Sequence, residues 1–519
     1  MSKNKKSKSS VSALDLRQSL EGVTQWVVLF FLAVFPLLPG TNQVYVNITY
    51  SKFMYFLIAT LVYIALVIFL VCRAYAKDKN VLKNMFVTVD ADGNTVKWKP
   101  SLPQIFIVCY MLWSLISAIA SKYPFSDTII GSSRYEALLS IWLYGILFLL
   151  ISMFGKHSDV YLYGLMVMAV IMGVICMAQS LGSTILYPGD YTYFNSSFLG
   201  TIGHHDCYSN IVSLIIPALF LSFVFLDGKF RWVAVPGMFT LFFVQIISDV
   251  DCGKIGLLAA FIVAMPFLLD SKKNILRTLQ AGAVLILGYS FFCLLGQTKP
   301  NEAWTVTADK KFVVTLVAAI VLFAIGLALE KLWEKNKKEF KLSKKVIRLI
   351  IVAVLVICIV VVLMKVYKYQ GEKKLIQEAS MLMHGELSDE MGTGRGFIWK
   401  GCFEIIKENK VVGIGPGTFL AKTQEVGLKF PSAYIDQAHN DFIHIATCQG
   451  LVGLFIYLAF IISLIIIGLK KSIGFGRATI YTIGIIGFLG SVTFVFSIAI
   501  VSPVYWVFAG LLLHLCSKK

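Results

Sequence analysis

The sequence predicts an all-α, polytopic membrane bundle of about fourteen transmembrane helices, with one large outer loop containing short helices, and three observations carry that prediction. Of 519 residues, 57% are hydrophobic and only 15% charged, which is more apolar surface than a soluble core of this length can bury. Apolar runs of roughly 17 to 22 residues recur from end to end, each about long enough to cross a 30 Å hydrocarbon slab as a helix. The Lys and Arg residues behind the formal charge of +18 cluster in short loops separated by pairs of spans. That pattern marks membrane topology and excludes a nucleic-acid partner as its explanation.

Residues 1–23 form a basic tail with Lys3, Lys5, Lys6, Lys8 and Arg17, placed in the cytoplasm by the charge rule. Spans begin near residues 24, 53, 103, 136, 160, 209, 233, 255, 278, 313 and 349, filling residues 24–367, and near 449, 478 and 504, filling 448–519. The first run, Thr24 to Gly40, has no small-residue cleavage site after it and reads as a retained helix. Basic loops at Arg73 to Lys99, Lys229 and Arg231, Lys272 to Arg277, Lys331 to Arg348 and Lys470 to Arg477, with the Lys518-Lys519 end, fall on the tail's side. Both termini are therefore expected in the cytoplasm, and the spans are read as almost free of buried charge. The ten cysteines are scattered with no CxxC pair, so neither a disulfide framework nor a zinc site is indicated. No internal repeat supports transporter symmetry.

Three stretches lie outside the spans. Ala76 to Ser101 contains Phe86-Val-Thr-Val and Thr95-Val-Lys-Trp around Asp90, Asp92 and Asn94; it reads as a β-hairpin, since the calcium-loop Gly and Glu positions hold Thr95 and Ser101. Gly182 to Ser209, expected outside, carries Tyr187, Asp190, Tyr191 and Tyr193 and then His204, His205 and Asp206. Two adjacent histidines on a helix point about 100° apart and rarely chelate together, so His204 and His205 read as a polar wall for sugars in preference to a metal site. Tyr191, Tyr193, Trp304 and Tyr434 are outer aromatics, able to stack on sugars or to serve as interface residues. The third stretch, residues 368–447, has the composition of a folded subdomain and is the first place to look for function.

Within it, Gly394-Arg395-Gly396-Phe397-Ile398-Trp399 opens a helix whose Phe397, Ile398, Cys402, Phe403, Ile405 and Ile406 form an apolar face. Arg395 at its start suits bidentate binding of pyrophosphate oxygens, although a lone Arg near a membrane is also a snorkelling residue. Val411-Val-Gly-Ile-Gly-Pro-Gly-Thr-Phe is either a connector or a turn whose amides approach phosphate, and it lacks the Lys-Ser/Thr of a nucleotide loop. Asp436-Gln-Ala-His439-Asn440-Asp441 leads straight into a span. A neutral His439 there can accept a proton from a sugar hydroxyl or serve as a helix-end hydrogen-bonding group.

Arg395 with Trp399, the Gly-Ile-Gly-Pro-Gly-Thr-Phe turn, and His439-Asn440 with nine residues before Gly450 and two more before Gly453 together resemble the O-antigen ligase and O-antigen polymerase superfamily. The resemblance implies a multi-pass enzyme of the bacterial cytoplasmic membrane that needs no cofactor or metal. It implies a membrane-embedded (GT-C-like) glycosyltransferase moving glycans from an undecaprenyl pyrophosphate-linked donor to a glycan, lipid or protein acceptor. Arg395 takes the role of gripping pyrophosphate and His439 that of acting near the acceptor, with Trp399 and Asn440 beside them. Where relatives often carry Ser-Arg-Gly, this chain has Ser248-Asp-Val-Asp-Cys-Gly-Lys254. The second cation is then Lys254 as a point charge or Arg134 as a guanidinium, unless Arg134 pairs locally with Glu136 or snorkels. Attack opposite the departing phosphate would invert the anomeric centre. The rival reading is an exporter or flippase of lipid-linked sugar without transferase activity.

Overall fold

A computed structural model describes residues 2–40, 45–89, 95–131, 134–181, 183, 185–186, 200–295, 306 and 308–517, with side chains from residue 13 onward except at 45–47, 87–89 and 95–97. Asp90, Asp92, Asn94, Tyr187, Asp190, Tyr191, Tyr193, Trp304, Lys518 and Lys519 lie outside the described residues, as do the side chains of the tail lysines.

The described helices, in chain order, are α1 (Ser2–Leu29), α2 (Tyr45–Lys77), α3 (Val81–Met85), α4 (Leu102–Ala120), α5 (Phe125–Ile130), α6 (Leu138–Phe154), α7 (Val160–Ser180), α8 (His205–Phe225), α9 (Ala234–Ser248), α10 (Asp251–Leu268), α11 (Lys272–Leu295), α12 (Lys310–Asn336), α13 (Lys344–Tyr367), α14 (Lys374–Met383), α15 (Met391–Glu408), α16 (Phe419–Glu425), α17 (Asp441–Ser472), α18 (Gly476–Ser491) and α19 (Ser502–Ser517). Each of the fourteen apolar runs falls on one of them. Among the described residues, eleven helices are long and apolar enough to cross a membrane, and α6 and α19 are shorter apolar helices. With 16 residues, α18 is about 24 Å long at 1.5 Å per residue. The hairpin is present: β1 (Val87–Val89) pairs antiparallel with β2 (Thr95–Lys97). No disulfide joins any of the ten cysteines.

The first span starts earlier than the apolar run suggests. Helix α1 begins at Ser2, and Ala13, Leu16 and Leu20 pack on Val81 and Phe154, so the tail's amphipathic end is drawn into the bundle. The bundle is built round α8, whose window is 94% buried; α9, α10 and α18 pack on it. Close approach there depends on absent side chains, for a Cβ on Gly487 would sit 2.0 Å from Ser213 O, the small-residue packing common between helices in lipid.

Four of the basic loops, at 229–231, 272–277, 331–348 and 470–477, are joined by ion pairs and hydrogen bonds. Arg231 and Arg277 both bind Glu330, at 3.1 and 2.7 Å, Arg348 binds Asp270 and donates to Ile473 O, and Arg477 binds Asp159. These pairs correct the expectation of almost charge-free spans, since Arg231, Arg277 and Glu330 are all buried. Lys52 is also fully buried and donates to Phe35 O and Pro36 O at 2.9 and 3.1 Å. The charges are tolerated because each finds a partner or a carbonyl freed at a helix end.

Helix α13 is different. It buries no residue at all and is held near its ends, by Arg348 on Asp270 and by Ser380, whose hydroxyl donates to Tyr367 O at 3.2 Å.

Candidate functional site

The motif residues of the 368–447 stretch assemble around a break in α17. At Gly450 the backbone leaves the helix (φ 72°, ψ 176°), and a Cβ there would meet Val411 O at 2.0 Å. The segment 410–415 enters this break: Leu451 N donates to Lys410 O (2.8 Å), Ile414 N to Thr447 O (3.1 Å) and Gly415 N to Cys448 O (2.8 Å). Trp113 and Ser117 of α4 take the remaining freed carbonyls, Gln449 O at 2.9 Å and Cys448 O at 3.1 Å. The glycine turn is therefore a connector, which corrects the phosphate-approach alternative. Its Gly413 and Gly415 amides are already bonded, and Gly413 lies where a Cβ would touch Cys448 at 2.4 Å.

The helix carrying Arg395 is positioned by a left-handed run, Gly392, Thr393 and Gly394, that resets the chain direction immediately before it. Ile398, Trp399, Cys402 and Ile405 form its buried face, with Ile414, Ile435 and Ala438. Phe403, assigned to that face from the sequence, is 42% exposed, because the 3.6-residue period centres the stripe on 398, 402 and 405. Trp399 donates from Nε1 to Ala438 O at 3.0 Å, fixing the residue before His439. Asn440 caps α17, accepting from Ile443 N (3.0 Å) and donating to Thr493 O (2.9 Å). Both are committed to holding the loop.

Between them His439 takes a left-handed conformation, φ 50°, of the sparsely populated kind that clusters at functional sites. Burial, and after it the charge of Arg395, pulls its imidazole down to about 4, with Asp206, Arg134 and Asp436 also acting on it. Arg395 and His439 therefore lie at the same end of the bundle, within electrostatic reach of each other. Buried Nε of Arg395 and buried Nδ1 of His439 have no hydrogen-bond partner; Arg395 donates from Nη1 to Gly392 O at 2.9 Å.

Arg134 joins the same group. It does not pair with Glu136 and does not snorkel: it binds Asp436 in bidentate fashion, at 2.7 and 3.2 Å, and lies over the Phe496 ring at 4.4 Å. Glu136 accepts from Tyr144 at 2.8 Å, and burial holds its carboxyl well above the usual range. Lys254 binds Asp249 (2.6 Å) and Asp251 (2.9 Å) in exposed pairs, so both candidate cations are carboxylate-paired; Arg134 is the one shown against Phe496, the ring that His439 also meets. Tyr434, 40% exposed, lies under Lys429.

His204 and His205 correct the argument from helix periodicity. His204 is the extended N-cap of α8 (φ −156°, ψ 134°), so the two rings do not diverge but stack, 4.6 Å apart at 15°. One ligating atom from each of His204, His205 and Asp206 lies within 4.8 Å of the others, and His204 Nδ1 accepts from Asp206 N at 3.2 Å, which leaves Nε2 as the ring nitrogen that could meet a ligand. Burial draws His204 down to about 4. A cavity of about 70 Å³ has Glu136, Tyr144, Gln437, Asp441 and His444 among its lining, with Ile445 and Trp506 beside them, and it is large enough for water.

Sequence reasoning missed Phe496, Asp436 and the non-helical segment that carries Phe496; only the acidic residue inside the His439 motif gave a signal. Residues 303–458 match a family model described as O-Antigen ligase, supporting the superfamily resemblance over that part of the chain. No curated protein matches the chain.

Proposed function

Proceeding from the match of residues 303–458 to the O-antigen ligase family, we propose that this multi-pass membrane protein transfers glycan from an undecaprenyl pyrophosphate-linked donor at the outer face of the bacterial cytoplasmic membrane. Residues 368–447 are its catalytic loop in this reading. The observation that carries it is that a buried His439, drawn down by burial, lies within electrostatic reach of the Arg395 and Arg134 guanidinium groups and shares the Phe496 ring with Arg134. A base that is uncharged at neutral pH and two fixed cations are what transfer from a pyrophosphate leaving group needs.

In the proposed step the acceptor hydroxyl oxygen forms a bond to the anomeric carbon while the bond from that carbon to the phosphate oxygen breaks. The hydroxyl proton passes to His439, and the electron pair leaves on the carrier pyrophosphate. Arg395 meets the developing charge; Arg134 exchanges Asp436 for phosphate oxygens, keeping the bidentate geometry that a lysine lacks. Attack of the hydroxyl oxygen on the face opposite the departing phosphate gives inversion. No metal is required, because the arginines do the neutralising. His204 and His205 form a polar wall, Trp399 and Asn440 hold the loop, and Lys254 has no part in the step.

The test is purified protein with a carrier-pyrophosphate glycan donor and candidate acceptors, in EDTA, with products weighed by mass spectrometry. Free carrier pyrophosphate with a longer glycan identifies a polymerase, and glycan on a different acceptor a ligase. Removing a general base costs roughly 10²- to 10⁴-fold, so retention of full activity in both Arg395→Ala and His439→Ala would overturn the mechanism. Donor crossing vesicles with no new glycosidic bond would identify an exporter.

A further inference from the structure

Residues 492–501 between α18 and α19 are apolar enough to read as part of a span, yet they are not helical. Non-helical backbone among apolar helices persists only where its polar groups find partners. Here the partners come from the catalytic loop's exit. Asp441 N donates to Val492 O at 3.0 Å, Asn440 Nδ2 to Thr493 O, and Ser497 donates its amide (2.8 Å) and its hydroxyl to the Asp441 carboxylate.

What this tethering places is Phe496. Its ring is 1% exposed, carries the Arg134 guanidinium at 4.4 Å, meets the His439 ring edge-to-face at 5.2 Å and 72°, and approaches His204 at 6.4 Å. We propose that Phe496 is a positioning residue, a flat apolar wall that seats the Arg134 guanidinium and keeps water from the His439 imidazole, so that cation and base address one substrate. The roles of those two residues rest on the function proposed above.

The physical basis is twofold. An aromatic face attracts a guanidinium and a saturated side chain of similar bulk does not. Burial is also the first cause of the low titration of His439; the charged or titratable groups that act with it are Arg395 of α15, Asp206 and His204 at α8, Arg134, Asp436 and His444 of α17. Replacing the ring opens His439 to water without altering any of these charges.

The experiment uses the full chain in nanodiscs, with histidine labelled at ¹³Cε1 and the His439 signal assigned by its loss in His439→Asn. In Phe496→Leu, and in Phe496→Met as a second variant that better fills the space, His439 should titrate at least about one pH unit higher than in the unaltered protein. Phe496→Trp should restore the original value. Binding of inorganic pyrophosphate, followed by calorimetry, should weaken roughly 3- to 30-fold in the two aliphatic variants and recover in Phe496→Trp. An unchanged His439 titration in folded Phe496→Leu or Phe496→Met overturns the role of Phe496. Failure of the unaltered protein to bind pyrophosphate, with the titration still responding, overturns the transferase reading instead.

Discussion

Acidification tests the state of His439. Its imidazole titrates at about 4, through burial first and the Arg395 charge second, so it stays an available base well below neutrality. At pH 5 such a group is about nine-tenths neutral, whereas an ordinary imidazole near 6.5 is only about three-hundredths neutral, a difference of roughly thirtyfold in competent enzyme. A carrier-pyrophosphate-glycan is esterified at both ends and has no phosphate ionisation near pH 6 like that of a monoester, so the donor's charge is constant over this range. Initial rates of transfer at saturating donor and acceptor, measured at pH 7, 6 and 5, should agree within about twofold for the folded enzyme. A half-loss near pH 6.5 would refute the buried-base argument. Stability moves the other way: His439 and His204 both resist protonation when folded, so the unfolded chain takes up protons that the native state refuses. The resulting loss begins as pH falls through about 6.5 and is complete near 4, reaching about 2 kcal/mol per histidine at pH 5. Glu136, whose carboxyl burial raises, takes up its proton in the folded state and opposes this loss, so the histidine share is read as the melting-temperature difference between the unaltered protein and His439→Asn, which should move in favour of the variant between pH 7 and pH 5.

Trp399→Phe removes the donor to Ala438 O beside the base. A loss of about 1–2 kcal/mol in stability, with lower kcat at unchanged donor KM, is expected from melts and steady-state kinetics, and wild-type values in both would contradict the positioning role. Gly450→Ala forces a methyl to within 2.0 Å of Val411 O at positive φ, so it should abolish monodisperse protein on size exclusion; a well-behaved, active variant would disprove the account of the break in α17. Glu330→Gln leaves Arg231 and Arg277 without their shared anion. It should lower stability by about 3–5 kcal/mol with transfer intact at low temperature, and an unshifted melt would show that network to be dispensable.

Span positions were legible because length and apolarity are set by the bilayer and need no tertiary context. The Val87–Val89 and Thr95–Lys97 hairpin was legible for a similar reason, in its alternation about a polar turn. Arg395, His439 and Arg134 drew attention because ionisable side chains at the edge of a membrane stand out against composition. What stayed hidden depended on conformation at single residues. The segment carrying Phe496 has the composition of a span, and its non-helical backbone is bonded to Asp441 and Asn440, pairings that composition does not reveal. His204 stacks on His205 because it sits one residue before the helix, a boundary finer than periodicity resolves. The pairing of Lys254 stayed hidden because the sequence does not reveal that Asp249 turns back on it through a left-handed φ of 50°.

Lys344–Tyr367 buries no residue fully and meets the bundle along the half-buried stripe Ile347, Ile351 and Leu355 that faces α10, so evolution can rewrite the rest of its circumference under a single rule. Away from that stripe, exchanges among Val, Ile and Leu should pass unnoticed in a saturation library, whereas a polar residue at mid-depth should be purged. Arg348 is the exception, since it is where this helix is addressed to its neighbours. The fastest-drifting span in the chain should therefore end in one of its most constrained residues.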